Sequence, residues 1–400
     1  MAKQTVRDID VEGKRVLVRV DYNVPLKDGE VGDTLRIEAS FPTIAYLLQH
    51  NCRIILMSHL GRPGGRVVEQ FSLETVAKKA AELLRHEITF VPDCVGPEVT
   101  SAVGVMKAGE IILLENLRFH SEEEANDDSF SAQLAALADV YVDDAFAVIH
   151  RAHASTVGVT KHLPSVAGLL VEQELEHIGG AIDRPNRPLA AIVGGAKVST
   201  KLELLRSLVP KVDILVIGGA MANTFYKAQG LEVGLSLVED DLVDVANELL
   251  SQAVIENTEL LLPEEIVVST SLTEPKDVRI TTVNNVRSNE YIVDASPKIA
   301  QRLRDAMFEV LDFDGRGTVV WNGPVGIDEV PAFASGSKAL AEVIIGMNGI
   351  SVIGGGDTAA FVDGAELHDK FTWVSTAGGA SLELMSGLVL PGVAALPDKH

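Results

Sequence analysis

Residues 189–209 read LAAIVGGAKVSTKLELLRSLV: five apolar residues in a row, a turn that opens on two glycines, then leucines recurring three and four apart. The run does not alternate apolar with polar side chains, so it fits a strand buried on both faces, the habit of parallel sheets. The leucine spacing is that of a helix with one apolar side. Working outward, similar short runs occur at residues 16–20, 53–57, 111–114 and 140–142, and again at 213–217, 265–268, 318–321, 351–353 and 371–374. Helical patterns lie between them at 72–85, 129–138, 201–209, 239–253, 297–310 and 335–346. Strand–helix alternation along the whole chain predicts an α/β architecture of doubly wound parallel sheets, with ligands held outside the carboxyl ends of the strands.

Four hundred residues exceed one ordinary core. The stretch 169–182, LLVEQELEHIGGAI, reads as an amphipathic helix closing at Gly179–Gly180, and the loop DRPNRP follows. This places two domains at 1–170 and 185–379 with a hinge over 171–184. The chain carries 34 basic and 57 acidic residues, a net charge of −23, which argues against nucleic acid or an anionic membrane as a partner. The acidic run 122–128 is expected to be a solvated loop or helix face. Cys52 and Cys94 are too few for a disulfide framework and suit a reducing compartment. The start, MAKQTVRDID, lacks a signal-peptide pattern, and the longest apolar runs, such as 214–222, are shorter than the roughly 18 residues of a bilayer span. A soluble, cytoplasmic protein is expected.

The residues after the strands carry the chemistry. Strand 16–20 is followed by Asp21-Tyr22-Asn23, strand 53–57 by Ser58-His59-Leu60-Gly61-Arg62, strand 111–114 by Glu115-Asn116-Leu117-Arg118, and strand 140–142 by Asp143-Asp144 and then His150-Arg151. Taken singly, each Arg could snorkel and each Asp or Asn cap a turn. Parallel strand ends converge on one sheet edge, however, and in so acidic a chain His59, Arg62, Arg118 and Arg151 read together as an anion pocket. The planar guanidinium grips phosphate and carboxylate bidentately.

The second half places glycine at the corresponding points. In Gly194–Lys201 bare backbone can approach phosphate, and Lys197 and Lys201, four apart, would share a face in a helical first turn. Gly354-Gly355-Gly356-Asp357-Thr358 adds a carboxylate to such a turn, which suggests Mg²⁺ between Asp357 and phosphate, with an N-cap as the plainer role. Gly218-Gly219 and Ala377-Gly378-Gly379 are further turns after strands. There is no G-x-x-x-x-G-K-[ST], no G-x-G-x-x-G, no H-E-x-x-H, no C-x-x-C and no G-x-S-x-G. His150 and His153 lack a third ligand nearby.

Together the segments RVDYNVPLKDG, SHLGRP, ENLRFHSEEE, DAFAVIHRAHAS, GGAKVSTKLELL, IGGAMANTF, WNGPVG, IGGGDTAA and LPGVAAL resemble the phosphoglycerate kinase family, in the family's order from residue 19 to 396. The resemblance implies two Rossmann-like domains joined by a hinge helix, with residues 380–400 packing back on the first. It implies a hinge-bending monomer that moves a phosphoryl group reversibly between 1,3-bisphosphoglycerate and MgADP, giving 3-phosphoglycerate and MgATP. By position in these motifs, Asp21, Asn23, Arg36, His59, Arg62, Arg118 and Arg151 resemble the triose-binding residues. Lys197, Lys201, Asn322, Glu329, Gly355, Gly356, Asp357 and Thr358 resemble the nucleotide side, with Asp357 on magnesium and Gly218 and Gly219 beneath adenine. Arg36 and Lys197 would stabilise the transferring group. Four positions depart from the family pattern: Thr200 for Asp, Asp328 for an apolar residue, Ala377 for the first of three glycines, and Ile292 where many relatives have glycine.

The chemistry suits these residue types. A carboxylate nucleophile, with an ordinary pKa near 4, is already ionised at neutral pH and needs no general base. It needs in-line alignment and charge neutralisation. A nicotinamide-dependent dehydrogenase would show a glycine fingerprint and a ribose-binding acid. A non-catalytic phosphosugar-binding protein would not need Lys197, Lys201 and the Asp357 turn.

Overall fold

The computed structural model describes residues 2–309 and 315–399. The chain forms two compact units, Met1–Glu176 with Val389–His400, and His177–Leu388.

The first unit holds β1 (Arg15–Arg19), a small hairpin of β2 (Leu26–Lys27) and β3 (Glu30–Val31), then β4 (Arg53–Met57), β5 (Ile88–Val91), β6 (Ile111–Leu114), β7 (Val140–Asp143) and β8 (Ser165–Ala167). Six of them make a parallel sheet in the order β5-β6-β4-β1-β7-β8. Side chains alternate between two cores because a strand has a period of two. Val16, Val18, Ile54, Leu56, Ile111 and Val140 fill one side, whereas Leu17, Ile55, Met57, Ile112 and Tyr141 fill the other. Both faces are therefore apolar, which is why these strands read as unbroken runs. The four strands expected from sequence are the four adjacent central ones, β6-β4-β1-β7. Their carboxyl ends therefore share one edge.

The second unit holds β9 (Leu189–Val193), β10 (Ile214–Ile217), β11 (Glu259–Leu261), β12 (Glu265–Ser269), β13 (Arg279–Thr282), β14 (Tyr291–Ala295), β15 (Thr318–Asn322), β16 (Ile350–Gly354) and β17 (Trp373–Val374). Its main sheet, also parallel, has the order β11-β10-β9-β15-β16-β17. The run at 265–268 corrects an expectation: β12 is not in that sheet but is the middle of an antiparallel one, β13-β12-β14. A central strand covered on both faces looks the same in sequence whichever way its neighbours run.

Helix bounds also differ from expectation, and the helix expected at 239–253 starts at Val243. The stretch 169–182 does not close at Gly179–Gly180. Helix Leu169–Glu174 continues through a π turn, Leu175–Gly179, into Gly180–Asp183, and Gly179 has helical angles of −63° and −43°. The stop comes at Arg184, the residue before Pro185, where proline disfavours the α conformation. The helix expected at 201–209 starts at Leu202, so Lys197 and Lys201 precede it rather than sharing its first turn. The helix expected at 297–310 spans Lys298–Glu309, and Val310 lies outside the described residues.

Residues 389–399 lie with the first unit. Lys3 pairs with Asp398 at 2.7 Å, and Gly392 packs on Ile149. Residues 380–388 lie with the second. Among the described residues no helix is long and apolar enough to cross a membrane.

Candidate active site

In the first unit the strand-end residues are tied to one another. Arg36 Nη1 donates to Asp21 Oδ2 at 2.9 Å and to the Asn23 carbonyl at 3.2 Å. Asn23 Oδ1 accepts from Gly61 N at 2.9 Å, and the Gly61 carbonyl accepts from Arg118 Nη1 at 2.9 Å. Gly61 joins the two because it turns at φ +64°, and a Cβ there would lie 2.5 Å from the Phe71 ring. Arg118 is buried, yet its Nε and Nη2 have no hydrogen-bond acceptor among the described residues. Glu124 lies 3.1 Å from Nε as an ion pair, off the N–H direction. Burial lowers the Arg118 pKa to about 10, with the neighbouring Arg19 and Arg151 contributing and Glu124 opposing. A buried guanidinium without acceptors costs free energy, which an anion would return. Arg62 follows Gly61 and is exposed with no partner among the described residues. Arg151 donates from Nε to His150 Nε2 at 3.3 Å, and its terminal nitrogens have no hydrogen-bond partner among the described residues.

Two residues not singled out from sequence hold this pocket together. Arg19, at 1% exposure inside β1, donates from Nε to Ser155 Oγ at 2.9 Å and faces His59 Nδ1 at 3.2 Å. A guanidinium can only donate, so His59 Nδ1 accepts and its proton sits on Nε2. Burial and the charges of Arg19, Arg118 and Arg151 hold His59 well below the usual histidine range, so it is neutral. Glu123 is the second. The acidic run was expected to be solvated, but Glu123 is fully buried and accepts from Ser155 Oγ at 2.6 Å and Ser155 N at 3.0 Å. Ser155 Oγ joins it to Arg19, and the Arg19 charge opposes the rise that burial gives the Glu123 pKa. His153, 3.7 Å from Glu123, is pushed down to about 4 by burial and the surrounding arginines.

In the second unit the turns after β9, β10, β15 and β16 meet. Gly219 takes φ +67°, and a Cβ there would sit 2.6 Å from the Gly195 carbonyl. Gly218 packs against Val325. Lys201 Nζ donates to both the carbonyl and Oδ1 of Asn322, Asn322 Nδ2 has no acceptor among the described residues, and Gly323 N donates to Thr358 Oγ1 at 2.6 Å. Gly355 caps the helix Gly356–Gly364, and Asp357 lies exposed in its first turn, so it is not the N-cap. A cavity of about 460 Å³ opens here, lined at one end by Gly195, Gly219 and Asp357 and elsewhere by Tyr226, Ile292 and Glu329. Lys197 is exposed, outside that lining, with no side-chain partner among the described residues.

Burial pushes Lys201 down to about 8, the Asp357 carboxylate opposing. Below that pH the ammonium is charged and grips anions; above it the charge is lost. Affinity for an anion held by Lys201 should therefore fall as pH rises through about 8, whereas Lys201→Arg, which stays charged, should give a flatter profile by calorimetry.

A family profile described as "Phosphoglycerate kinase" matches residues 6–388. Phosphoglycerate kinases of Moorella thermoacetica and Pelotomaculum thermopropionicum are each 49% identical over 399 residues, covering 100% of both chains. The solved phosphoglycerate kinase of Coxiella burnetii superposes with a TM-score of 0.89 at 38% identity, and that of Pyrococcus horikoshii with 0.84 at 28%, each covering 98% of both chains. The chain belongs to the phosphoglycerate kinase family. Its reaction is phosphoryl transfer between ATP and the carboxylate of 3-phosphoglycerate.

The four departures from the phosphoglycerate kinase pattern have local accounts. Thr200 Oγ1 donates to the Lys197 carbonyl at 2.9 Å, holding the turn. Ala377 is buried without a positive φ, so its methyl brings no backbone strain. Ile292 lines the cavity and narrows it. Asp328 accepts from Ser337 Oγ at 3.0 Å, and burial, with Asp294 and Glu329 nearby, pushes its pKa up to about 7.

Proposed function

We propose that the arginine face of the first unit binds the phosphate and carboxylate of the triose, and that the turns and cavity of the second bind MgADP or MgATP. The observation that carries this reading is Arg118, buried with two N–H directions unanswered. Around it, Asp21 and Asn23 fix Arg36, neutral His59 offers Nε2–H, and Arg62 and Arg151 add further positive charge. On the nucleotide side Lys201 and Asn322 face the phosphates with Gly355, Gly356 and Thr358. Gly219 floors the cavity toward adenine, Gly218 supports that floor from outside the lining through Val325, and Glu329 reaches the sugar.

Magnesium fits Asp357: the carboxylate is exposed, has no partner among the described residues and borders bare glycine backbone. Mg²⁺ keeps several waters and needs only one or two protein carboxylates besides phosphate oxygens. When bound it would neutralise phosphate charge. The protein's own share is alignment by Arg36 and Lys197 on the transferring group, without a general base. The groups involved belong to two compact units, and reacting atoms must approach to about 3–3.5 Å. Hinge bending over 171–184 is the proposed means. A net charge of −23 and two buried cysteines support a monomeric, cytoplasmic enzyme.

Calorimetry of 3-phosphoglycerate and of ADP with and without magnesium tests the division of labour. Asp357→Ala should weaken MgADP by about tenfold or more while triose affinity is unchanged. An unaltered magnesium requirement in that variant would overturn the assignment.

A further inference from the structure

At the side edge of the first sheet, on the β5 and β6 exits, three side chains of metal-binding type meet. Asp93 and Cys94 follow β5, and His120 follows β6 and its short turn Leu117–Phe119. Because β5 and β6 are adjacent and parallel, with Val91 beside Leu114, their exit loops run side by side. The Asp93 carbonyl accepts from Glu115 N at 3.3 Å, joining the loops through backbone. His120 Nε2 is 2.8 Å from Asp93 Oδ1. One nitrogen, one sulfur and one carboxylate oxygen from the three residues all lie within 4.8 Å of one another.

The cysteine is the decisive member. Cys94 is at 0% exposure, its backbone N donates to Asp93 Oδ1 at 2.7 Å, and among the described residues no other residue accepts from its sulfur. Cys52, equally buried, donates from Sγ to the Val11 carbonyl at 3.1 Å. Cys94 therefore turns an unanswered sulfur toward a histidine and a carboxylate. Those two remain open to solvent, His120 at 30% and Asp93 at 45% of their side-chain surface. Metal could enter from that side, and a water could complete a tetrahedron.

We propose that Asp93, Cys94 and His120 form a binding site for a thiophilic divalent cation of the Zn²⁺ or Co²⁺ class. Sulfur, imidazole nitrogen and carboxylate oxygen with one open position are the donor set and number such ions take, whereas Mg²⁺ and Ca²⁺ want oxygen alone. Binding releases the Cys94 thiol proton to solvent. His120 moves its proton to Nδ1 so that the Nε2 lone pair faces the metal, and the Asp93–His120 hydrogen bond gives way to two metal bonds. Two ligand negative charges balance the dication, so the site is neutral when filled. The bound ion would clamp the β5 and β6 exits together.

Cobalt titration of the full-length protein, stripped of metal and free of nucleotide, tests this. One equivalent of Co²⁺ should produce a thiolate-to-cobalt charge-transfer band that Zn²⁺ abolishes. Cobalt at Asp357 would have no sulfur ligand and gives no such band. Cys94→Ser should lose it, Cys52→Ser should keep it, and Asp93→Asn and His120→Gln should weaken cobalt affinity by about tenfold or more. Far-ultraviolet circular dichroism and kinase activity without cobalt check that each variant is folded; if Cys94→Ser is not, His120→Gln and Cys52→Ser carry the test. No band in wild type, a band surviving in Cys94→Ser, or a band lost in folded Cys52→Ser would overturn the site.

Discussion

Replacing Lys197 by Met should lower turnover by about 10²- to 10³-fold while changing nucleotide affinity by no more than about threefold. The reason lies in how the residue is held. Its neighbours are fixed: Val198 is fully buried, Ser199 donates from N and Oγ to Glu239, and Thr200 Oγ1 holds the Lys197 carbonyl. The ammonium itself is exposed, unpartnered among the described residues and outside the cavity lining. A cation on a fixed base with a free arm adds little to ground-state binding and can meet charge as it develops on the transferring group. Interactions made only in the transition state appear in kcat. Lys201 is the contrast, since its Nζ already lies against Asn322. Lys201→Met should raise the Kd of ADP, and its effect on turnover should be the smaller of the two. Steady-state kinetics beside calorimetry separates them, and turnover of Lys197→Met within about threefold of wild type would refute the role.

The contrast between these lysines was only half legible in the sequence. Both stand in GGAKVSTK, but their spacing suggested a shared helical face, and the helix begins only at Leu202, after both of them. Strands were legible where two cores cover them, as with β1, β4, β6 and β7. In the first sheet they were not legible at the edges, where β5 (ITFV) is only partly buried and β8 has three residues. The strand-end arginines were readable because position after a buried strand is a local signal. Arg19 carried a signal that went unused: a charge inside a strand buried on both faces must have a partner or a ligand. Glu123 carried none. It differs from Glu122 and Glu124 only by meeting Ser155, 32 residues away, a contact no local pattern encodes. Asp93, Cys94 and His120 are likewise brought together by the pairing of β5 with β6, not by spacing.

Arg118→Leu should abolish detectable triose binding while leaving MgADP affinity within about twofold of wild type. Removing one partner of a buried charged contact costs roughly 2–5 kcal/mol, or about 30- to several thousand-fold in affinity. The upper part of that range is expected because Arg118 is 4% exposed and holds its register through the Gly61 carbonyl. Leucine would leave the incoming anion desolvated and unanswered. It also removes a charge that helps keep His59 neutral, though burial, the largest cause, remains, so His59 should still present Nε2–H. Arg118→Lys separates charge from shape: an ammonium restores the charge but not the planar fork, so it should recover part of the affinity and not all. Folding is not at stake in the same way. Glu123, the buried acid nearby, keeps its Ser155 hydrogen bonds, and relief of the buried Arg118 Nε and Nη2, which have no acceptors among the described residues, offsets the donor that the Gly61 carbonyl loses. Thermal melting of Arg118→Leu without ligand should thus match or exceed wild type, and only wild type should be stabilised by 3-phosphoglycerate. A Kd for 3-phosphoglycerate within about threefold of wild type in Arg118→Leu would show that the anion binds elsewhere.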